Sequence, residues 1–170
     1  AERHIPIARV WNPTVVFQDA FEYYKEVAKE KFGWDAGPEQ CIGSRYIHVA
    51  ETTEQAIEEC RKAVMYVRRL STFSRPVQVP APVPGLQTDR SYDYRKRSKG
   101  AEMPGPGTPF EKLRESGFIV CGDPDYVTEW LKNDMETAGY GHFMGMFRVG
   151  TNTHENVIKS KNLFAEHVMP

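Results

Sequence analysis

A chain of 170 residues, 40% hydrophobic and 12% aromatic, lies in the size range of one globular domain and has enough apolar side chains to bury a sizeable core. Its 22 basic and 23 acidic residues leave a formal net charge of -1, so no global field draws it to nucleic acid or to an anionic membrane, and a neutral small molecule is an equally permitted ligand. Cys41, Cys60 and Cys121 are an odd number without close spacing, which suits a reduced, cytoplasmic setting better than a disulfide framework. No apolar run approaches the ~18 residues of a membrane span, and no charged-then-apolar leader precedes a small-residue cleavage site. The sequence opens at Ala1 without a methionine, which fits simple processing and equally a piece of something longer.

Residues 4–11 (HIPIARVW) form a short apolar and β-branched run with Pro6 near its start, and predict a strand. From residue 14 to residue 31 the side chains of Val16, Ala20, Tyr23, Tyr24, Val27 and Ala28 recur at helical spacing, with Thr14 as a candidate N-cap and Gly33 as the stop. After the Gly37-Pro38 turn, residues 44–50 (SRYIHVA) predict a second strand. Thr52-x-x-Gln55 has the form of a capping box, opening a helix to about residue 70 whose Ala56, Cys60, Ala63, Val64 and Val67 line one stripe. Cys60 is therefore expected to pack rather than react.

Residues 73–109 break this rhythm, with Pro76, Pro80, Pro82, Pro84, Pro104, Pro106 and Pro109 among Gly85, Gly100, Gly105 and Gly107. The stretch is expected to be mostly loop, a lid or insertion within one domain spanning residues 1–170, because neither flank shows a complete core of its own. Beyond it, residues 118–121 (FIVC) predict a strand. Asp123-Pro124 then supplies an N-cap and a first-turn proline for a helix with a stripe of Val127, Leu131, Met135 and Ala138, closed by Gly139. Residues 142–149 (HFMGMFRV) are apolar on both faces and predict a buried strand. A last helix, residues 153–167, is expected to bury Val157, Ile158, Phe164, Ala165 and Val168. Strands alternating with amphipathic helices imply βαβ units and a parallel sheet, but there are too few units to close a barrel of eight.

No glycine-rich phosphate loop, HExxH, CxxC pair or GxSxG elbow occurs, so the strong catalytic and metal motifs are absent. His4, His48, His142, His154 and His167 lack ligand spacing, and no metal site is expected. Residues 90–99 interleave Tyr92 and Tyr94 with basic side chains, a composition able to hold RNA or a phosphate group; Asp89, Asp93 and Glu102 dilute it, and no nucleic-acid partner is expected. Phe73 and Arg75, at the entrance of the long loop, are candidates for touching a substrate, since loops after the strands of a parallel barrel build its active face. Trp11 ends the first strand, where such a barrel keeps its binding face; an indole there can lie flat against a planar ligand or serve as a core aromatic under the loop. Met144 and Met146 suit core filling, with Gly145 admitting a close neighbour.

Three stretches carry a family resemblance. AERHIPIARVWNP followed by FEYYKEVAKEKFG resembles the segment of bacterial luciferase and its relatives that runs through the sixth barrel strand and its helix. RYIHVAETTEQAIEE is similar to the seventh strand and its "VA-x-T-x-x-x-A" continuation. GFIVCGDPDYVTEWLKNDMETAG and the terminal SKNLFAEHVMP resemble the closing G-x-P-x-x-V helix, last strand and final helix near Val-Met-Pro. The resemblance implies the C-terminal half of a (βα)8 TIM barrel with a long proline-rich lid or insertion. It also implies FMN, or alternatively the deazaflavin F420, as cofactor. It places Trp11 beside the flavin ring with Ala8 and Val10 on the same strand wall, and puts residues 73–109 where the family keeps its variable lid. The family's flavin-phosphate cradle and its histidine-bearing strands precede the matched region, so the catalytic residues are not assigned.

Two functions follow. One is a flavin-dependent monooxygenase that oxidises an organic substrate with O2, this half furnishing the wall and lid of a site completed by the N-terminal half. The other is a non-catalytic half-barrel acting as a binding or assembly module. Either is expected to pair with the N-terminal half or with a second copy of itself.

Overall fold

The computed structural model describes residues 1–73 and 107–169. Along the chain stand β1 (Ile7–Val10), α1 (Thr14–Phe32), a short 3₁₀ turn (Pro38–Gln40), β2 (Cys41–Val49) and α2 (Thr53–Phe73). They are followed by α3 (Phe110–Glu115), β3 (Ile119–Gly122), α4 (Pro124–Ala138), β4 (His142–Met146) and α5 (His154–Leu163), which runs into a π-helical turn (Phe164–Val168). The strand and helix alternation read from the sequence is present, and all pairings in the sheet are parallel.

β2 is the hub of this sheet. Ile42, Gly43 and Ser44 are paired on one edge with Ala8, Arg9 and Val10 of β1 and on the other with His142, Phe143 and Met144 of β4; residues Tyr46 to Val49 pair with Ile119 to Gly122 of β3. Side chains alternate between faces along a strand. Gly43, Arg45, Ile47 and Val49 point one way, where Ile47, Val49 and Val120 pack with Val127 and Leu131 of α4 and with Phe164. Ile42, Ser44, Tyr46 and His48 point the other way. There Tyr46, Ile119 and Cys121 are covered by Ala56, Cys60 and Val64 of α2 and by Phe110 and Leu113 of α3. That cover does not extend along the strands: Ala8, Val10 and Met144 remain exposed on the same face.

Several sequence expectations needed revision. β1 is shorter than predicted, and β2 starts three residues earlier than predicted, at Cys41, because pairing with β1 begins there and pairing with β4 at Ile42. Thr14 is not the cap of α1. Pro13 occupies that place, and the Thr14 hydroxyl instead donates to Asp134 Oδ1 at 2.5 Å. Only half of the capping box forms: the Gln55 backbone N–H donates to Thr52 Oγ1 at 3.2 Å, whereas the Gln55 amide turns forward to Glu59. α2 runs through Phe73, so the break in helical rhythm begins one residue later than expected; residues 74–106 of the proline-rich stretch lie outside the described residues. β4 is not a buried strand. It pairs with β2 alone among the described strands, so His142 and Met144 are exposed. Ile158 and Ala165 likewise face solvent, because the helix is buried on the narrower stripe of Val157, Ser160 and Phe164.

The stops and starts that do hold have plain causes. Gly33 and Gly139 close α1 and α4 at φ of 70° and 69°, a left-handed geometry costly for any residue with a Cβ. Asp123 caps α4 by accepting from the Tyr126 N–H at 2.9 Å, and its other oxygen accepts from the Thr53 hydroxyl at 2.6 Å, tying the start of α4 to the start of α2.

The largest fully buried side chain among the described residues is Arg45, on the face of β2 that packs toward α1 and α4. Its Nε and Nη2 donate to Asp134 Oδ2 and Oδ1 of α4 at 3.0 and 2.8 Å, a two-pronged ion pair with both side chains at 1% exposure or less. Thr14 and the Tyr140 hydroxyl, the latter at 2.6 Å, complete the carboxylate's shell, and Nη1 donates to the Asn12 carbonyl. The guanidinium also lies over the Phe17 ring, 4.0 Å from its centroid. Burial, with the Asp134 carboxylate beside it, pushes the Tyr140 phenol well above its ordinary value, so it stays a donor.

Two outcomes follow from these contacts. Asp134→Ala strands a buried guanidinium and is expected to destabilise the fold by about 3–5 kcal/mol in urea unfolding, whereas replacing Arg45 and Asp134 together by apolar residues should cost less than the sum of the single changes. The Thr53 hydroxyl and the Tyr126 N–H hold the Asp123 carboxyl below its ordinary value. A depressed carboxyl stabilises fully above its unfolded value, ~3.9, and loses that contribution as pH falls through the folded value. The urea midpoint of the natural chain should therefore fall more steeply below about pH 4 than that of Asp123→Asn, which keeps a cap without the charge.

Candidate functional site

The open face of the sheet is built in rows set by strand register. Val10, Ser44 and Met144 form one row and Ala8, Ile42 and His142 the row below it. Val10 is 38% exposed and Met144 45%, while Ser44 between them is fully buried. The surface is thus mainly apolar, with the exposed His142 imidazole in its lower row and the Ser44 hydroxyl buried beneath its centre.

Trp11 closes the upper end of this wall. It follows β1 directly, at φ 57°, a left-handed conformation uncommon for a bulky residue and a sign of local constraint. The constraint is visible on either side: the Asn12 amide donates back to the Val10 carbonyl at 2.5 Å, and Arg45 holds the Asn12 carbonyl from beneath. So turned, the indole lies over the sheet, stacked on Tyr46 with centroids 5.5 Å apart and planes at 11°, and its Nε1–H donates to Met146 Sδ at 3.1 Å. It remains 40% exposed, with one side against Tyr46. Of the residues singled out in the sequence, Ala8, Val10 and Trp11 therefore meet on one open surface. The Phe73 backbone ends α2, while its side chain and all of Arg75 lie outside the described residues.

Sequence reading missed two groups on the Tyr46 side of the sheet. His48 is 1% exposed; its Nε2 lies 2.8 Å from Glu59 Oε2, and its Nδ1 lies 3.3 Å from the amide nitrogen of Asn152. Its place on that face follows from the period of two in β2, but its partners lie 11 and 104 residues away and left no local signal. Cys60 and Cys121 share the core under α2 as free thiols. A hydrogen bond from Cys60 to Cys121, reinforced by burial, pushes the Cys60 thiol far up, and the same bond draws the Cys121 thiol down against burial, with Arg114 assisting. Among the described residues no cluster of three or more His, Cys, Asp or Glu side chains could hold a metal ion. Nor is any helix among them long and apolar enough to cross a membrane. A separate apolar groove of about 380 Å³, lined by Phe143, Gly145, Phe147 and Phe164, lies on the helix-facing side of β4, away from the wall.

Solved structures of similar fold decide what architecture this sheet belongs to. The oxygenating constituent of 3,6-diketocamphane monooxygenase from Pseudomonas putida, a type II Baeyer-Villiger monooxygenase solved with FMN, superposes on 99% of the chain at a TM-score of 0.69 and 19% identity. The chain shares the fold of part of that structure. Monooxygenase RslO1 from Streptomyces bottropensis gives a TM-score of 0.64 at 17% identity, and apo-MsnO8 gives 0.60 at 20%, each again over 99% of the chain. The chain spans only 42% to 46% of the length of these three structures, which agrees with half a barrel. No protein-family model matches the sequence, and no curated protein matches it.

Proposed function

We propose that the chain is the C-terminal part of a flavin-dependent monooxygenase, in which Ala8, Val10 and Trp11 form the wall against which the flavin ring is seated. The observation that carries this reading is the Trp11 indole, held in a left-handed turn at the C-terminal end of β1 and presented beside an open apolar surface. Barrel enzymes build their sites at this end of their strands, and a planar ring system gains both area and stacking against an indole. One structural neighbour is in complex with FMN, which supports FMN as the cofactor; F420 is the alternative.

The chemistry of the wall supports this reading. Val10 and Met144 offer apolar contact, and no charged side chain lies in their row. Reduced flavin, when bound, supplies the electrons that activate O2 for transfer to an organic substrate. The chain's own part is to orient the ring and exclude water, which favours oxygen transfer over wasteful side reactions. We assign Phe73 and Arg75 to the lid over the substrate, and the phosphate grip and catalytic groups to the N-terminal half of the barrel. The enzyme is proposed to be cytoplasmic, with this chain alone inactive.

In the assembled protein Trp11→Ala is expected to weaken flavin binding several-fold, corresponding to a stacking contribution of about 1 kcal/mol. Fluorescence titration with FMN and with F420 measures the loss and chooses between the cofactors; an unchanged dissociation constant for both would sink the Trp11 assignment. The open wall and the edges of β1 and β4 further imply a covering partner, either the N-terminal half or a second copy of this chain. Native mass spectrometry of the chain by itself should show association at micromolar concentration. A compact monomer that takes up neither flavin nor another chain would contradict the half-barrel reading.

A further inference from the structure

We infer that the Ser44 hydroxyl is a hydrogen-bonding group of the same wall, meeting a polar edge atom of the planar heteroaromatic ligand, a ring carbonyl or a ring N–H. The inference rests on the flavin reading above and adds to it a specific polar contact. Ser44 is 0% exposed and its Oγ has no hydrogen-bond partner. Buried hydroxyls are nearly always paired, because leaving one unpaired sacrifices its hydration without return. An alanine would fill the position with almost the same shape and without that penalty, so the hydroxyl has no packing justification.

Its direction is set by register. Ser44 stands between Val10 and Met144 in the middle row of the open face, while its chain neighbours Gly43 and Arg45 point to the opposite side, toward Tyr140 and Phe17. Two positions on, Tyr46 carries the stacked indole of Trp11 on the same face. The hydroxyl is therefore aimed into the surface proposed to receive the ring, screened by side chains that can yield: Met144 is unbranched and 45% exposed, and Val10 is 38% exposed. Aromatic and aliphatic groups alone would hold a ring without fixing its rotation in its own plane. One hydrogen bond from the floor of the wall fixes that rotation, the role that sparse polar groups play in apolar pockets.

The test uses Ser44→Ala in the assembled barrel, with FMN as the probe and two readouts, fluorescence titration and thermal unfolding without flavin. The expected result is a loss of FMN affinity of roughly five- to tenfold, together with an unfolding midpoint that is unchanged or raised, since the substitution removes an unpaired hydroxyl. Unchanged affinity in a variant whose parent binds FMN and responds to Trp11→Ala would overturn the Ser44 assignment while leaving the flavin wall intact. A lowered midpoint without flavin would overturn it too, by showing that the hydroxyl is partnered within the protein. A parent that fails to bind FMN removes the flavin reading and this inference together.

Discussion

The ion pair of Arg45 and Asp134 is the constraint on which the rest of the structure depends. A guanidinium and a carboxylate at the centre of a small domain are costly to dehydrate, and their attraction compensates only when geometry is good and the remaining donors and acceptors are met. Here they are: the carboxylate receives two bonds from Arg45 and one each from Thr14 and Tyr140, and Arg45 reaches on to the Asn12 carbonyl. These contacts join β2, the β1–α1 connection, the first turn of α1, and α4 with the segment that follows it. Apolar packing among Phe17, Phe21 and Tyr140 is non-directional and would tolerate small shifts of α1 on α4. The ion pair is directional, and selects one register.

The two faces of β2 show how that selection is used. On the helix-facing side every position is committed: a Cβ at Gly43 would come within 2.5 Å of the Tyr140 ring, so only glycine lets the phenol approach closely enough to reach Asp134. On the other side the commitment is partial. The C-terminal half of the strand is buried under α2, and its N-terminal half is flanked on this face by the exposed Ala8 and Val10 of β1 and Met144 of β4. A sheet buried on both faces would have used apolar residues throughout; this one keeps a hydroxyl in that half.

Much of the fold was legible in the sequence because it is encoded locally. The stripe of Ala56, Cys60, Ala63 and Val64, the Asp123-Pro124 start and the Gly33 and Gly139 stops each need only their own segment to be read. What escaped was long-range. Thr14 has the composition of a cap, but Asp134, 120 residues away, takes its hydroxyl, and Asp134 itself sits in a helical stripe where the pattern of Val127, Leu131 and Ala138 gives no hint of a buried acid. The apolar composition of β4 suggested burial, since composition cannot distinguish a strand buried by its own chain from one whose cover is supplied from elsewhere. For the site, Ala8, Val10 and Trp11 were grouped by strand position and family resemblance. Ser44 and Tyr46 completed the surface only once register brought the strands side by side.

The core and the open wall are joined through one short connection. A left-handed bulky residue costs of order 1–3 kcal/mol and persists only where its surroundings over-determine it. Trp11 has such surroundings, because its successor Asn12 is held by the buried guanidinium of Arg45 from the helix side. Released from that hold, Trp11 would relax toward an extended backbone, which would turn the indole away from Tyr46 and Met146. The position of the exposed indole on the wall is therefore set by a charge that is fully buried. The wall inherits the rigidity of the ion pair, although no atom of that pair lies on the wall's own face.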